Sequence, residues 1–206
     1  MKNIKEKILQ QALKLYNERG LGDTTLRQIA LQLNISQGNL NYHFKTKQEI
    51  TEVLYFQLVA KIDAQMEALI EPDLLLAKVF QSSWTTMSSF YEFRFLMRDF
   101  FKILKENKII RKHYFELQQK RHLQFEQIFN DLCEYEMIRK EEFEGEYKRL
   151  YERLTILGEN WINTHELLQA KIKNPVNYYA LLVFESIYPY LTDKGKLEYR
   201  VIIDAQ

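Results

Sequence analysis

The chain has 206 residues, 46% hydrophobic and 28% charged, a balance that fits a soluble globular protein with one core, or a small module beside a larger domain. Only six Gly and three Pro interrupt it, so long helices with short connections are expected, and a single cysteine, Cys133, excludes an internal disulfide framework and fits a reducing compartment. The net charge of +1 divides unevenly: residues 1–47 hold eight Lys/Arg against three Asp/Glu and the remainder 21 against 25, so a polyanion is expected to meet the first quarter alone.

No apolar run approaches the ~18 residues that would span a bilayer. Lys2, Lys5 and Lys7 lack the continuous apolar stretch that a secretory signal places behind its basic residues. A cytoplasmic protein without membrane contact is expected.

In chain order, Ile4, Ile8, Leu9, Ala12, Leu13 and Tyr16 recur at helical spacing, and Gly20 suits the left-handed position that ends a helix. Thr24 or Thr25 caps a second, short helix, with Gln28 three residues after Thr25 as in a capping box, and Ile29, Ala30 and Leu33 on its buried side. Ala30 is small enough for a steep helix crossing, Asn34 tolerates positive φ in a tight turn, and Ile35 returns to the core. Ser36 caps a third helix from Gln37 to Phe44, with Leu40 and Phe44 inward. These features in this order are those of a helix-turn-helix.

The third helix leaves Gln37, Gly38, Asn39, Asn41, Tyr42 and His43 on its outer side. Gln and Asn can pair with adenine edges in a major groove, and Lys45 and Lys47 stand ready for phosphates. Taken singly, His43, Lys45 and Lys47 would be ordinary surface groups; their shared placement points to DNA. Thr46 and Glu49 form a capping box for the next helix.

The stretch Thr24-Thr25-Leu26-Arg27-Gln28-Ile29-Ala30, followed by Asn34-Ile35-Ser36-Gln37-Gly38-Asn39-Leu40-Asn41-Tyr42-His43-Phe44-Lys45-Thr46-Lys47-Gln48-Glu49-Ile50, resembles the DNA-binding domain of the TetR family over about a quarter of the chain. The resemblance implies that Thr25 and Arg27 meet DNA near the start of the second helix. It implies that Gln37, Gly38 and Asn39 face bases, and that Tyr42, His43 and Lys47 contact the backbone. Asn41 stands where the family usually has a first Tyr, which puts an amide in place of an aromatic ring and bears on sequence preference.

Beyond the head, a long helix is expected to about Ile70, ending before Pro72. A fifth, capped by Asp73, carries the stripe Phe80, Trp84, Met87 and Tyr91, and a sixth carries Phe93, Leu96, Met97, Phe100 and Leu104. A seventh is expected from about Ile109 to Glu134, an eighth from about Gly145 to Leu168, and a ninth from Asn174-Pro175, stopped or kinked by Pro189. The fold class is therefore all-α with about nine helices: a helix-turn-helix domain over residues 1–46 and a helical ligand-binding and dimerisation domain over 47–206. The segment Tyr91 to Asp99 also resembles the C-terminal domain of one subgroup of the family.

The last two long helices are apolar on more than one side, through Leu150, Leu154, Leu157, Trp161 and Ile162 and through Leu181, Leu182, Val183, Phe184, Ile187 and Tyr188. A homodimer through these two helices is expected to cover them. The candidates to line a cavity for an apolar or aromatic effector are Phe80, Trp84, Met87, Phe100, Tyr114, Phe125 and Trp161, with His122 and His165 as polar groups, and each of them also reads as ordinary core packing, the favoured reading. The scattered histidines and lone Cys133 offer no metal site, no cofactor is expected, and no phosphate loop, nucleophile elbow or paired ligand motif points to an enzyme. The abundant Glu and Asp are expected on solvated helix faces. The expectation is a ligand-responsive regulator, in keeping with the family a repressor, on a palindromic operator.

Overall fold

The structure is a computed structural model that describes residues 3–68, 74–168 and 171–205. Among the described residues the elements are α1 (Ile4–Arg19), α2 (Leu26–Gln32), α3 (Gln37–His43), α4 (Lys47–Glu67), α5 (Leu75–Glu92), α6 (Arg94–Arg98), α7 (Phe100–Glu106), α8 (Lys108–Glu134), α9 (Glu146–Leu167), α10 (Pro175–Glu185), a 3₁₀ turn (Tyr188–Tyr190) and α11 (Asp193–Asp204). The all-α class is as expected, with eleven α-helices among the described residues instead of about nine. The expected caps at Pro72 and Asp73 lie outside the described residues.

Two differences make up the count. The expected sixth helix is divided at Asp99, whose backbone (φ −106°, ψ 15°) leaves the helical basin, so that α6 buries Phe95, Leu96 and Met97 and α7 buries Ile103. Pro189 does interrupt the ninth helix, but the chain recovers: Thr192 accepts from Gly195 N at 3.1 Å and caps α11.

The chain forms two compact units, Met1–Lys61 with Glu92–His113, and Ile62–Tyr91 with Tyr114–Gln206. In the first unit, Ile8, Leu9, Ala12, Tyr16, Ile29, Ala30, Leu40, Phe44, Ile50 and Leu54 are buried. Each large apolar side chain removed from water contributes about 1.5–3 kcal/mol before chain entropy is opposed to it. Asn17, at the end of α1, ties that helix to α6. Its Nδ2 donates to Glu92 O at 2.7 Å, its Oδ1 accepts from Phe95 N at 3.0 Å, and its carbonyl accepts from Arg98 Nη1 at 2.7 Å.

In the second unit, α11 is fixed at two points. Buried Glu198 accepts from Leu76 N at 2.6 Å, which satisfies an open amide at the start of α5. Gly195 lies against the Met137 carbonyl so closely that a Cβ would stand 2.1 Å from its oxygen. An isolated bridge pairs Ile138 with Leu191, with Arg139 N donating to Tyr190 O at 2.8 Å and Thr192 N to Met137 O at 3.1 Å. The Arg139 guanidinium grips the buried Glu146 carboxylate through two 2.8 Å bonds, and Glu142 N adds a third at 2.9 Å. These donors hold the Glu146 carboxyl at about 2, far below the usual carboxylate range, with the Arg139 bonds the larger cause. Glu146 and Glu198 thus correct the expectation that the acidic residues are solvated.

Candidate nucleic-acid interface and effector region

The local geometry of the head follows from its caps. Gly20 takes φ 89° and donates to Tyr16 O at 2.9 Å, closing α1. Buried Thr24 donates to Gly20 O at 2.9 Å, and Thr25 with Gln28 forms the full capping box of α2. Asn34 adopts φ 53°, and Ile35 N donates to Ala30 O at 3.1 Å, which sets the turn before α3. Ser36 Oγ accepts from Asn39 N at 3.1 Å. At the start of α4, Thr46 Oγ1 accepts from Glu49 N at 3.2 Å while Glu49 Oε2 accepts from Lys45 N at 2.8 Å.

With Leu40 and Phe44 buried, α3 turns Gln37, Gly38, Asn39, Asn41 and Tyr42 to solvent, Tyr42 with 86% of its surface exposed. Thr25, Arg27 and Lys45 are exposed as well. His43 is half-buried, its ring edge-on to Tyr42 at 5.2 Å. A Cβ on Gly38 would find a single neighbour, Ser36 Oγ at 3.9 Å, so the packing of the chain itself does not require a glycine there. Lys47 is half-buried, and its Nζ donates to Leu21 O at 2.8 Å and Gly22 O at 3.2 Å, holding the turn between α1 and α2. That leaves one N–H of its ammonium for another acceptor.

The nine effector candidates fall in different places. Phe100 opens α7 in the first unit, and the other eight belong to the second. Phe80 is buried against Phe184, with ring centroids 5.4 Å apart. Trp84 is 42% exposed, because the buried side of α5 turns toward the small Thr85 and Ser89 and leaves the indole at its margin. Met87 is buried with its Cε 3.5 Å from where a Cβ on Gly158 would stand. His122 and Phe125 each lie 4.9 Å from the Tyr151 ring. Phe125 also stacks on Phe129 at 4.0 Å and borders a cavity of about 570 Å3 shared with Cys133, Lys140 and Tyr147.

Tyr114 Oη donates to Glu159 Oε1 at 2.5 Å, and Gln118 Nε2 donates to the same oxygen at 3.1 Å. Burial pushes the Glu159 carboxyl above its ordinary range, and the two hydrogen bonds oppose the shift. Trp161 is 2% exposed and lies 4.8 Å from Tyr179, whose ring also meets His165 at 5.9 Å. The sequence reading did not single out Tyr151, Glu159 or Tyr179, which contact these candidates. The i, i+4, i+8 spacing of Tyr151, Thr155 and Glu159 was the available signal, and a carboxylate in a charged helix masks it.

Residues 8–54 match the family model of bacterial regulatory proteins of the TetR family, and residues 57–199 match the TetR model described as a bacterial transcriptional repressor. The chain belongs to the TetR family. The TetR family consists of transcription regulators that bind DNA, not of enzymes.

A stretch of 49 residues is 43% identical to the negative transcriptional regulator IcaR of the biofilm operon icaADBC in Staphylococcus aureus strain Newman, a match over 24% of this chain and 26% of IcaR. The fold is shared with a TetR-family transcriptional regulator from Marinobacter aquaeolei VT8, with TM-score 0.86 and 22% identity over 99% of this chain and 98% of that one. A proposed transcriptional regulator from Saccharomonospora viridis, in complex with choline, is also similar, with TM-score 0.71 and 17% identity over 90% and 95% of the two chains. Among the described residues no helix is long and apolar enough to cross a membrane, and no group of three or more His, Cys, Asp or Glu could hold a metal.

Proposed function

We propose that this TetR-family chain is an effector-responsive repressor in the cytoplasm that binds a palindromic operator as a homodimer. The observation that carries the reading is the solvent-facing polar side of α3, with Gln37, Gly38, Asn39, Asn41 and Tyr42 exposed beside Lys45. In this reading residues 1–46 are the DNA-binding domain and 47–206 the effector and dimerisation domain. Gln37, Asn39 and Asn41 read base edges, and Gly38 lets the backbone of α3 approach the groove. Thr25, Arg27, Tyr42, His43 and Lys45 hold phosphates, and Lys47 offers its third N–H to one.

Exposed Ile156 and Tyr178, at 65% and 49%, support a partner on α9 and α10. Two α3 helices a helical turn apart, about 34 Å, would then engage successive major grooves. The choline held by the neighbour from Saccharomonospora viridis supports a small-molecule effector. An effector that binds one spacing of the heads better than the other would change operator affinity in proportion to that difference.

The test is a fluorescence anisotropy titration with the DNA upstream of the chain's own gene, at a series of salt concentrations. The expected result is specific binding whose log affinity falls linearly with log salt. A salt-insensitive or absent interaction, there and with selected operators, would overturn the proposal.

A further inference from the structure

A cleft of about 280 Å3 lies within the first unit, and none of the nine effector candidates lines it. Its walls come from the turn between α1 and α2, the start of α4 and the end of α7. Thr51 and Ile103 are buried, each with 4% of its surface exposed, and with half-buried Leu21 they give the cleft an apolar lining.

Most polar atoms of the walls are already committed. Thr51 Oγ1 donates to Lys47 O at 2.9 Å. Asn107 Oδ1 accepts from Ile109 N at 3.0 Å and Ile110 N at 2.9 Å, and its Nδ2 donates to Glu52 Oε2 at 3.2 Å. The Leu21 and Gly22 carbonyls accept from Lys47 Nζ. What stays open is the third N–H of Lys47 and the exposed Gln48, Lys102 and Glu106. Two lysines against one glutamate leave the lining with a net charge of +1. The Lys47 ammonium is half-buried, so water and salt screen its pairing with an anion less than they would at an open surface.

We infer that this cleft binds the anion of a compact aliphatic carboxylic acid, its chain against Leu21, Thr51 and Ile103 and its carboxylate on Lys47 and Lys102. A single net positive charge suits a monoanion better than a polyanion. An alcohol of the same length would bring no counter-charge, and a carboxylate without a chain would leave the apolar lining in water.

The site itself goes beyond the regulator reading, but its effect on DNA rests on that reading, in which Lys47 offers the same N–H to a phosphate. Two anions on one ammonium repel each other, so the acid and the operator are expected to weaken each other's binding by the same factor.

Hexanoate, acetate and hexan-1-ol are titrated into the full chain at constant ionic strength and followed through the isoleucine and leucine methyl resonances. Ile103→Val assigns the Ile103 signal. Hexanoate is expected to move that signal and to bind at least tenfold more tightly than acetate or hexan-1-ol. Lys102→Glu should weaken hexanoate at least fivefold, and Glu106→Gln should tighten it at least twofold. Both are exposed positions on α7, so folding and operator affinity without acid should match the wild type. Saturating hexanoate should lower affinity for the DNA upstream of the gene by about fivefold or more, while acetate at the same ionic strength leaves it unchanged.

An unmoved Ile103 signal, equal affinity for hexanoate and either control, or hexanoate binding indifferent to both α7 substitutions would overturn the site. Hexanoate binding that leaves operator affinity unchanged would overturn the competition. A chain that binds hexanoate with this preference but no operator refutes the regulator reading and leaves the cleft standing.

Discussion

Gly38 separates what the protein needs for itself from what it offers to a partner. It sits exposed in a helix, where alanine is favoured by up to about 1 kcal/mol, and nothing in the chain stands in the way of a Cβ. Gly38→Ala is therefore expected to leave the melting temperature unchanged or raised and to weaken operator binding at least tenfold, because the methyl group holds the α3 backbone off the groove. Thermal melts and anisotropy on the same variant decide the point, and an alanine variant that binds DNA normally would remove Gly38 from the interface.

Glu146 carries a different prediction at the same scale. Its carboxyl lies at about 2 in the folded chain, below the usual value of about 4.3. Folding therefore favours its ionised form, and this contribution is complete above about pH 5 and fades as pH falls toward 2. The stability difference between the wild type and Glu146→Gln, read from urea midpoints, should be widest above pH 5 and shrink toward pH 2. A difference independent of pH would contradict the Arg139–Glu146 clasp.

Among the elements, α11 shows why part of the fold escaped the sequence reading. Pro189 reads as a stop, and the following helix buries Gly195, Glu198 and Ile202 while Leu197 and Val201 are exposed, so its apolar residues do not mark its buried side. What fixes α11 is the Met137 carbonyl against Gly195 and the Leu76 amide against Glu198, contacts with distant parts of the chain. Gly195→Ala forces that carbonyl away and should cost on the order of 3 kcal/mol, which for a chain of this length lowers the melting temperature by roughly 6–12 °C. A variant that melts like the wild type would show that α11 docks elsewhere.

The caps and turn of the head, by contrast, are legible in the sequence, while α2 and α3 each end one residue earlier than expected, at Gln32 and His43, and Leu33 is only half-buried. Thr25, Gln28, Asn34, Ser36, Thr46 and Glu49 act on neighbours at most four positions away, and local spacing records such contacts. Glu159 illustrates the limit: its burial comes from Tyr114 and Gln118, 45 and 41 residues earlier in the chain. Only the fold brings those groups together. The break at Asp99 escaped for a related reason, since Phe93 to Leu104 keeps helical spacing across it.

At the scale of the whole molecule, the proposed function requires two copies acting together. Ile156 projects from α9 with 65% of its surface exposed, so a glutamate there should cost an isolated chain little. Ile156→Glu is expected to give monomers in sedimentation velocity and to lose at least a hundredfold in operator affinity with α3 unaltered. Dimers that persist in the variant would move the interface away from α9.

The most direct test of α3 as the reading element is an operator selection from random duplexes, run in parallel on the wild type, Gln37→Ala and Asn39→Ala. The wild type should select a two-fold symmetric site with half-sites about one helical turn apart, and each variant should lose base preference at a defined pair of symmetric positions while keeping the spacing. Identical motifs from all three proteins, or no motif from the wild type, would contradict the assignment of α3 to the major groove.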